Sequence, residues 1–435
     1  GYDFYKECMH VGAQKAQLLG PVLGAYHPVI GENVALIKQI SGLDEVSFHM
    51  SGTEAVMQAV RLARYHTGKS HLVRLCGAYH GWWDGVQPGI GNNRKTHDVY
   101  TLADLSEHTL HVLKTRKDIA CVLINPLQAF HPNADSASDV SLIASDRHTH
   151  FDKAAYSHWL HKIRKVCTQQ NIVLIFDEVF TGFRLSYRGA QSFFGIQADM
   201  VTYGKTLGGG YPVGVLAGTY SLMKRFKNDK PVDVSFARGT FNSHPYVMGA
   251  MNEFLRRIQL PKIQALYQAS EPLWNERVAR FNQRILAEKL PLKITNMHSI
   301  LSVIYTQPSR YNWMLQFYLR HAGLELSWTG TGRFIMSFSY TDEEFEQVID
   351  CFVIAAKQMS QDGWWWSHLG LTNKAIKRQF LGDMLAAMFP ILSPVLRPLL
   401  PAPLSKLKYL VNPTKGSLTA TEFAVPPNNN TNQVG

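Results

Sequence analysis

The sequence predicts an α/β fold with two parts, a large domain on a mostly parallel central sheet and a small α+β C-terminal domain. Two observations carry this. From about residue 40 to 285, short apolar runs alternate with stretches of helical periodicity, the pattern of strands joined by crossover helices. After residue 286 the order becomes strand, helix, strand, helix over a much shorter span. The chain can support both units, because 435 residues of which 46% are hydrophobic suffice for one large core and one small one.

Taken in order, strands are expected at 46–50, 72–75, 121–125, 172–177, 200–203 and 213–218. Residues 55–65 put Ala55, Val56, Ala59, Val60 and Ala63 on one helical face, and 156–169 repeats the pattern less cleanly. The connection 130–150 is rich in Asn, Asp, Ser and His, so it reads as an exposed and mobile insertion. In the small unit a strand is expected over 293–305, a helix over 312–321, a strand over 332–340 and a helix over 342–359. Thr341-Asp-Glu-Glu344 opens that last helix as a capping box, in which the Thr hydroxyl and the Glu344 carboxylate satisfy otherwise unpaired amides. Beyond Gly363 come Trp364-Trp365-Trp366 and an apolar stretch, 380–400. Pro390, Pro394 and Pro398 break any helix there, and Asp383 and Arg397 are costly in lipid. That stretch is expected to pack on the protein or a partner, with no membrane span. The division that results is an N-terminal segment (1–39), whose upstream part is expected to be missing because residue 1 is Gly, a large domain (40–285), a small domain (286–362) and an extension (363–435).

Composition narrows the function. A formal charge of +11 comes from 44 Lys+Arg against 33 Asp+Glu, yet no basic run of the kind found in nucleic-acid-binding arms occurs. No nucleic-acid partner is expected. Five cysteines, scattered without CxxC spacing, indicate neither a disulfide framework nor a metal site. With no secretory leader at the start, a cytoplasmic location is expected.

The chemistry is concentrated in five short motifs. Ser51-Gly52-Thr53 lies between a strand and a helix, where free amides and the positive end of the helix dipole attract a phosphate; a plain helix cap has the same sequence. Tyr79 and His80 follow the strand ending near Leu75, where an α/β fold places its ligand and where a planar cofactor needs an aromatic face. Asp177 stands where its strand runs out into that crevice, able to pair with a protonated pyridine nitrogen. At about 4 Å and an effective dielectric of about 20 such a contact is worth about 4 kcal/mol, which keeps the ring an electron sink. Val179, two residues on, points the same way if the backbone stays extended.

Lys205 follows the next strand, flanked by Gly204 and by Gly208-Gly209-Gly210. A lysine among glycines, with a carboxylate on the preceding strand end, is what a Schiff-base enzyme using pyridoxal 5′-phosphate needs, since burial near a cationic ring lowers the amine's pKa. The apolar run before Asp177-Glu178 also suits a Walker B strand, but the position where a Walker A glycine is required holds Asp199. Thr240, in Gly239-Thr240-Phe241, could donate to a phosphate oxygen. Trp82 and Trp83 suit either an apolar substrate pocket or plain packing. Arg184 suits either a substrate carboxylate or a structural pairing.

The ordered set SGTEA (51–55), AYHG (78–81), FDEVFTGFR (176–184), YGKTLGGGYPVG (203–214) and RGTF (238–241) resembles the class III aminotransferases of pyridoxal-phosphate fold type I, and within them the glutamate-1-semialdehyde aminomutase branch. The resemblance covers about residues 20 to 360. It implies that Lys205 forms the Schiff base, that Asp177 pairs with the pyridine nitrogen, that Val179 and Tyr79 sandwich the ring with His80 beside it, and that Ser51, Gly52 and Thr53 hold the phosphate. It implies a homodimer with shared sites, in which Thr240 reaches the neighbour's phosphate. The expected activity is transfer of an amino group from an amino donor to an aldehyde or ketone; an aminomutase acting within one substrate is the alternative. Met50 stands where the family usually has Asn, the N-terminal strands that in the family precede the region around Gly20 are missing here, and the tail after Gly363 has no family counterpart. The start and the run from Tyr79 to Val86 also resemble aminotransferase domains of multidomain natural-product proteins, of polyketide or prodigiosin type, which implies a lipophilic acceptor.

Overall fold

A computed structural model describes residues 1–18, 20, 23, 27–87, 92–94, 96–130, 151–325, 333–366 and 370–388. The insertion expected at 130–150 lies outside the described residues except for Phe130, which is buried; most of the tail, with Pro390, Pro394, Pro398 and Arg397, also lies outside them. No helix of the described residues is long and apolar enough to cross a membrane.

Seven strands make the central sheet: β1 (Glu45–His49), β2 (His71–Leu75), β3 (Val99–Leu102), β4 (Ile119–Ile124), β5 (Val173–Asp177), β6 (Met200–Gly204) and β7 (Gly214–Gly218). Their spatial order is β1-β7-β6-β5-β4-β2-β3. β7 alone runs against its neighbours, pairing antiparallel with both β1 and β6. Every other pairing is parallel. β4, β5 and β6 are buried at every position, as strands covered on both faces must be. The carboxyl ends of β1, β2, β4, β5 and β6 therefore meet along one edge of the sheet, where open α/β folds leave a ligand crevice.

Helices cover both faces. Before β1 come α1 (Tyr2–Gln17) and α2 (Val29–Ser41); α3 (Gly52–Thr67), α4 (Glu107–Thr115), α5 (Lys153–Gln170), α6 (Gly189–Phe194) and α7 (Tyr220–Met223) connect or follow the strands. α3 buries Val56, Ala59, Val60, Leu62 and Ala63 with Leu123, Ile175 and Leu216 on one side of the sheet. Each Val, Leu or Ile among them contributes about 1.5–3 kcal/mol. The other face packs on α5 and on α8 (Pro245–Arg257) through Trp159, Ile163, Met251 and Phe254. α1 crosses α8 at backbone contact, since a Cβ on Gly12 would lie 2.3 Å from the Ala250 nitrogen. A two-stranded ribbon, β8 (Phe226–Lys227) and β9 (Lys230–Val234), stands off the sheet.

A second core begins inside α9 (Pro261–Ala287), whose Trp274, Val278 and Phe281 pack with β10 (Leu292–Met297), β11 (Ile300–Tyr305) and β12 (Arg333–Ile335). α10 (Leu315–His321) and α11 (Asp342–Gln361) complete it, and α12 (Asn373–Met388) follows. The capping box at Thr341 and Glu344 forms.

The structure corrects some local readings. The single strand expected over 293–305 is a hairpin, folded back at His298 with φ of 51°. The helix expected at 312–321 opens with a 3-10 turn at Asn312–Met314. The strand expected at 332–340 has three residues, because only Arg333, Phe334 and Ile335 find a partner on β11. β3 and α9 carried too little apolar periodicity to be foreseen.

Two buried groups oppose each other in pH. His49, beside Ser47 at 2.8 Å, is held by burial and then by the Arg225 charge at a pKa of about 4. Below 6.5 the unfolded chain binds that proton first, so the stability is present above 6.5 and lost as pH falls toward 4, up to about 3 kcal/mol. Glu178 is raised by burial to about 7; its folded form holds a proton that the unfolded form has lost, so stability falls as pH rises from the usual carboxyl range to 7. Thermal unfolding at pH 4.5 to 7 should show less acid loss in His49→Gln and more in Glu178→Gln; equal slopes in all three proteins would refute both assignments.

Candidate active site

Four loops converge on the crevice. At the end of β5, Asp177 is 3% exposed. Its Oδ2 accepts from His80 Nδ1 at 2.8 Å, and its Oδ1 accepts from Thr202 Oγ1 at 3.2 Å and the Val179 amide at 3.1 Å. Three donors on one carboxylate fix its direction. His80, also buried, keeps its Nε2 without a partner. Its loop is tied down by Asn125 Nδ2 donating to the Tyr79 carbonyl at 3.2 Å and by Gln128 Nε2 donating to the Cys76 carbonyl at 2.8 Å.

Lys205 opens a 3-10 turn directly after β6, with φ of 43°. That left-handed backbone costs a non-glycine residue about 1–2 kcal/mol, and such strain gathers at functional positions. The side chain reaches the surface of the single chain, yet its pKa is lowered, mainly by lost hydration; Asp177 opposes the shift and Arg184 adds to it. Its Nζ lies 6.0 Å from the centre of the Phe180 ring.

The amino end of α3 closes the other side. Ser51 caps the helix by accepting from the Glu54 amide at 3.2 Å, so the plain-cap reading holds for this hydroxyl's lone pair. Among the described hydrogen bonds none uses the Gly52 or Thr53 amide, and such first-turn donors point at an anion. The fit around them is close. A Cβ on Gly52 would lie 2.6 Å from Val179 Cγ1, one on Gly81 2.4 Å from Thr53 Oγ1, and one on Gly214 1.9 Å from the Ser51 carbonyl oxygen.

Ser51, Gly52, Thr53, His80, Asp177, Val179 and Lys205 thus share one crevice. Tyr79 stands at its rim, 59% exposed. Thr240 does not join them in the single chain: it is exposed on a turn beyond β9, and no described hydrogen bond ties it to the crevice. Trp83 packs beside α3 under Arg64, whose guanidinium is 6.0 Å from the ring, while Trp82 is 77% exposed. Sequence reasoning missed Thr202, Asn125 and Phe180. Asn125 could have been noticed as a polar residue closing an apolar strand; Thr202 inside β6 carries no such signal.

A class-III aminotransferase family model matches residues 152–355. Glutamate-1-semialdehyde 2,1-aminomutase of Nitratidesulfovibrio vulgaris is 30% identical over 333 residues, 72% of this chain and 75% of its own. This chain belongs to the class-III aminotransferases. The same enzyme of Methanocaldococcus jannaschii is 31% identical over 292 residues, 63% of this chain and 60% of its own. Among solved structures, an omega-transaminase from Sphaerobacter thermophilus aligns with a TM-score of 0.66 at 23% identity, over 80% of this chain and 82% of that one. A transaminase with PLP bound gives 0.67 at 24%, over 83% and 84%. The fold is that of the fold-type I pyridoxal-phosphate transferases, and the protein is a pyridoxal-phosphate enzyme.

The crevice fits that cofactor: unpaired amides at the end of α3 for a phosphate, a fixed buried carboxylate for a ring nitrogen, an orphaned His80 nitrogen beside it, and a primary amine with a lowered pKa. Gly214→Ala should push the start of α3 off its seat. We expect an overpacking cost of about 1–3 kcal/mol, read by thermal unfolding, together with weaker retention of pyridoxal phosphate on dialysis; unchanged stability and retention would show that the cradle tolerates a methyl group.

Proposed function

We propose that this enzyme transfers an amino group from an amino donor to an aldehyde or ketone acceptor. The observation that carries the reading is the placement of Lys205 and Asp177 at the carboxyl ends of neighbouring parallel strands, close enough for the carboxylate to act on the lysine's pKa. Pyridoxal phosphate, when bound, supplies an aldehyde that takes the amine and a ring that accepts an electron pair. The chain's residues do the rest. Lys205 Nζ holds the cofactor, and once displaced by the donor it takes the proton from the donor's amine-bearing carbon and returns it one position away. Its lowered pKa favours the neutral amine that this needs. Asp177, braced by His80 and Thr202, holds a proton on the ring nitrogen. Val179 and Tyr79 flank the ring, and the amides of Gly52 and Thr53 with the Ser51 hydroxyl hold the phosphate.

We further propose a homodimer. Exposed apolar side chains on and after the ribbon, Val232, Phe236 and Phe241, support a covered surface around Thr240, which would complete the neighbour's phosphate site. The exposed Trp82 beside Tyr79 supports a lipophilic acceptor, as in natural-product biosynthesis. Five cysteines scattered without CxxC spacing support a cytoplasmic location. The division of the chain at residues 40, 286 and 363 is likewise proposed, supported by the separate cores of the two sheets.

The relatives' name favours a second reading, an aminomutase that keeps the amine on one substrate. Release of a carbonyl product from the donor separates the two: stoichiometric release supports transfer, and none with product formed supports the mutase. In either case Lys205→Ala should lose turnover by about 10²–10⁴-fold or more and lose the visible absorbance of the holoenzyme. Asp177→Asn should keep bound cofactor and lose most turnover. Normal activity in Lys205→Ala would end the assignment.

A further inference from the structure

α12 is fastened to the small domain by one side and turns another outward. Ile376, Phe380 and Asp383, at i, i+4 and i+7, make the inner side. Ile376 is 1% exposed, the Arg310 guanidinium carbon lies 4.8 Å from the centre of the Phe380 ring, and Arg310 Nη2 donates to Asp383 Oδ2 at 3.1 Å. The chain entering the helix is tied down too. Trp365 Nε1 donates to Asn312 Oδ1 at 3.0 Å, and the Tyr311 ring packs on Trp364 and Trp366 at 5.0 and 5.5 Å between centres. These contacts hold the helix in one orientation.

The outward side carries Lys374, Lys377, Arg378 and Leu381, at i, i+3, i+4 and i+7, and all four are exposed. At 3.6 residues per turn this stripe is centred about 140° around the helix from the inner one. Leu381, set among the cations, is 58% exposed. Among the described residues no acid pairs with Lys374 or Arg378, and the one acid of the helix, Asp383, is engaged by Arg310. The positive charge therefore faces outward.

The sequence beyond the helix extends the same chemistry. Residues 374–415 hold seven Lys or Arg against a single acid, more than half of the formal +11 of the whole chain. Within them, 389–400 reads Phe-Pro-Ile-Leu-Ser-Pro-Val-Leu-Arg-Pro-Leu-Leu, an apolar run whose prolines suit it to the boundary of a bilayer and not to a span. A soluble polyanion is met by cations alone. A leucine among three cations, with an apolar run next in the chain, matches a surface that is negative at its headgroups and hydrocarbon just beneath them.

We propose that the outer face of α12, together with the apolar run that follows it, is a docking surface for an anionic lipid bilayer, to which the enzyme binds peripherally. The cations attract the headgroups, while Leu381 and the run supply the apolar hold. Two signals of this kind are needed for firm attachment.

The test is co-sedimentation of the full chain, loaded with pyridoxal phosphate, with vesicles of phosphatidylcholine alone or mixed with phosphatidylglycerol. Binding should occur to the mixed vesicles and fall as salt rises. Replacing Lys374, Lys377 and Arg378 by Gln together should weaken it about 100-fold, at about fivefold for each cation. The same replacement at three exposed lysines elsewhere, Lys262, Lys289 and Lys293, should change it little. Thermal unfolding of each variant checks that the fold is kept. Leu381→Ser leaves every charge in place and should weaken binding several-fold, so it decides the apolar half by itself; unchanged binding there would overturn the proposal. So would absence of binding, equal binding to both vesicles, or equal loss in the two triple variants. Retention of a duplex oligonucleotide at physiological salt, lost in the α12 triple variant and without vesicle binding, would assign the face to nucleic acid instead.

Discussion

The site depends on one buried carboxylate held still. Asp177 ends β5 with both faces of its strand covered and with His80, Thr202 and its own downstream backbone donating to it. The hydrogen bonds replace the water that this carboxylate gave up on burial. The donors come from three separate places: the loop after β2, the interior of β6 and the turn after β5. Asp177 is therefore oriented only when the three parallel strands are in register, and the chemistry is coupled to the integrity of the sheet.

The second constraint is closeness. Gly52, Gly81 and Gly214 let the start of α3 settle against Val179, the His80 loop and β7, with no room for a methyl group at any contact. The helix amides then face the crevice at short range, where partial charges are strongest. Gly209 and Gly12 extend the same principle outward: a Cβ on Gly209 would meet the Ala250 carbonyl at 2.8 Å and Cys8 Cβ at 3.2 Å, so α1 and α8 press directly on the lysine turn. That packing explains how Lys205 can be kept in a left-handed conformation beside Arg184.

Much of this was legible in the chain. Apolar runs gave β1, β2 and β4 to β7 within a residue or two, and the glycines around Lys205 and the Ser-Gly-Thr cap marked the loops where chemistry gathers. The small sheet was read less well. The hairpin between β10 and β11 turns at Met297-His298 without glycine or proline, so the run 293–305 looks continuous. β3 is an edge strand, half-covered, and its four residues lack the apolar density of the others. α9 was missed because most of its length is polar, with Trp274, Val278, Phe281 and Ile285 spaced too sparsely to outweigh Pro272.

The sequence by itself determined the fold class and the family and singled out Lys205 among its glycines, because those follow from residue types at fixed local spacings. The tertiary structure alone decided which groups brace Asp177, that Thr240 stands apart from the crevice of its own chain, and that Arg184 has no acidic partner among the described residues. Those facts are distances between segments 20 to 100 residues apart, set by strand order and glycine-mediated contact, and no local pattern encodes them.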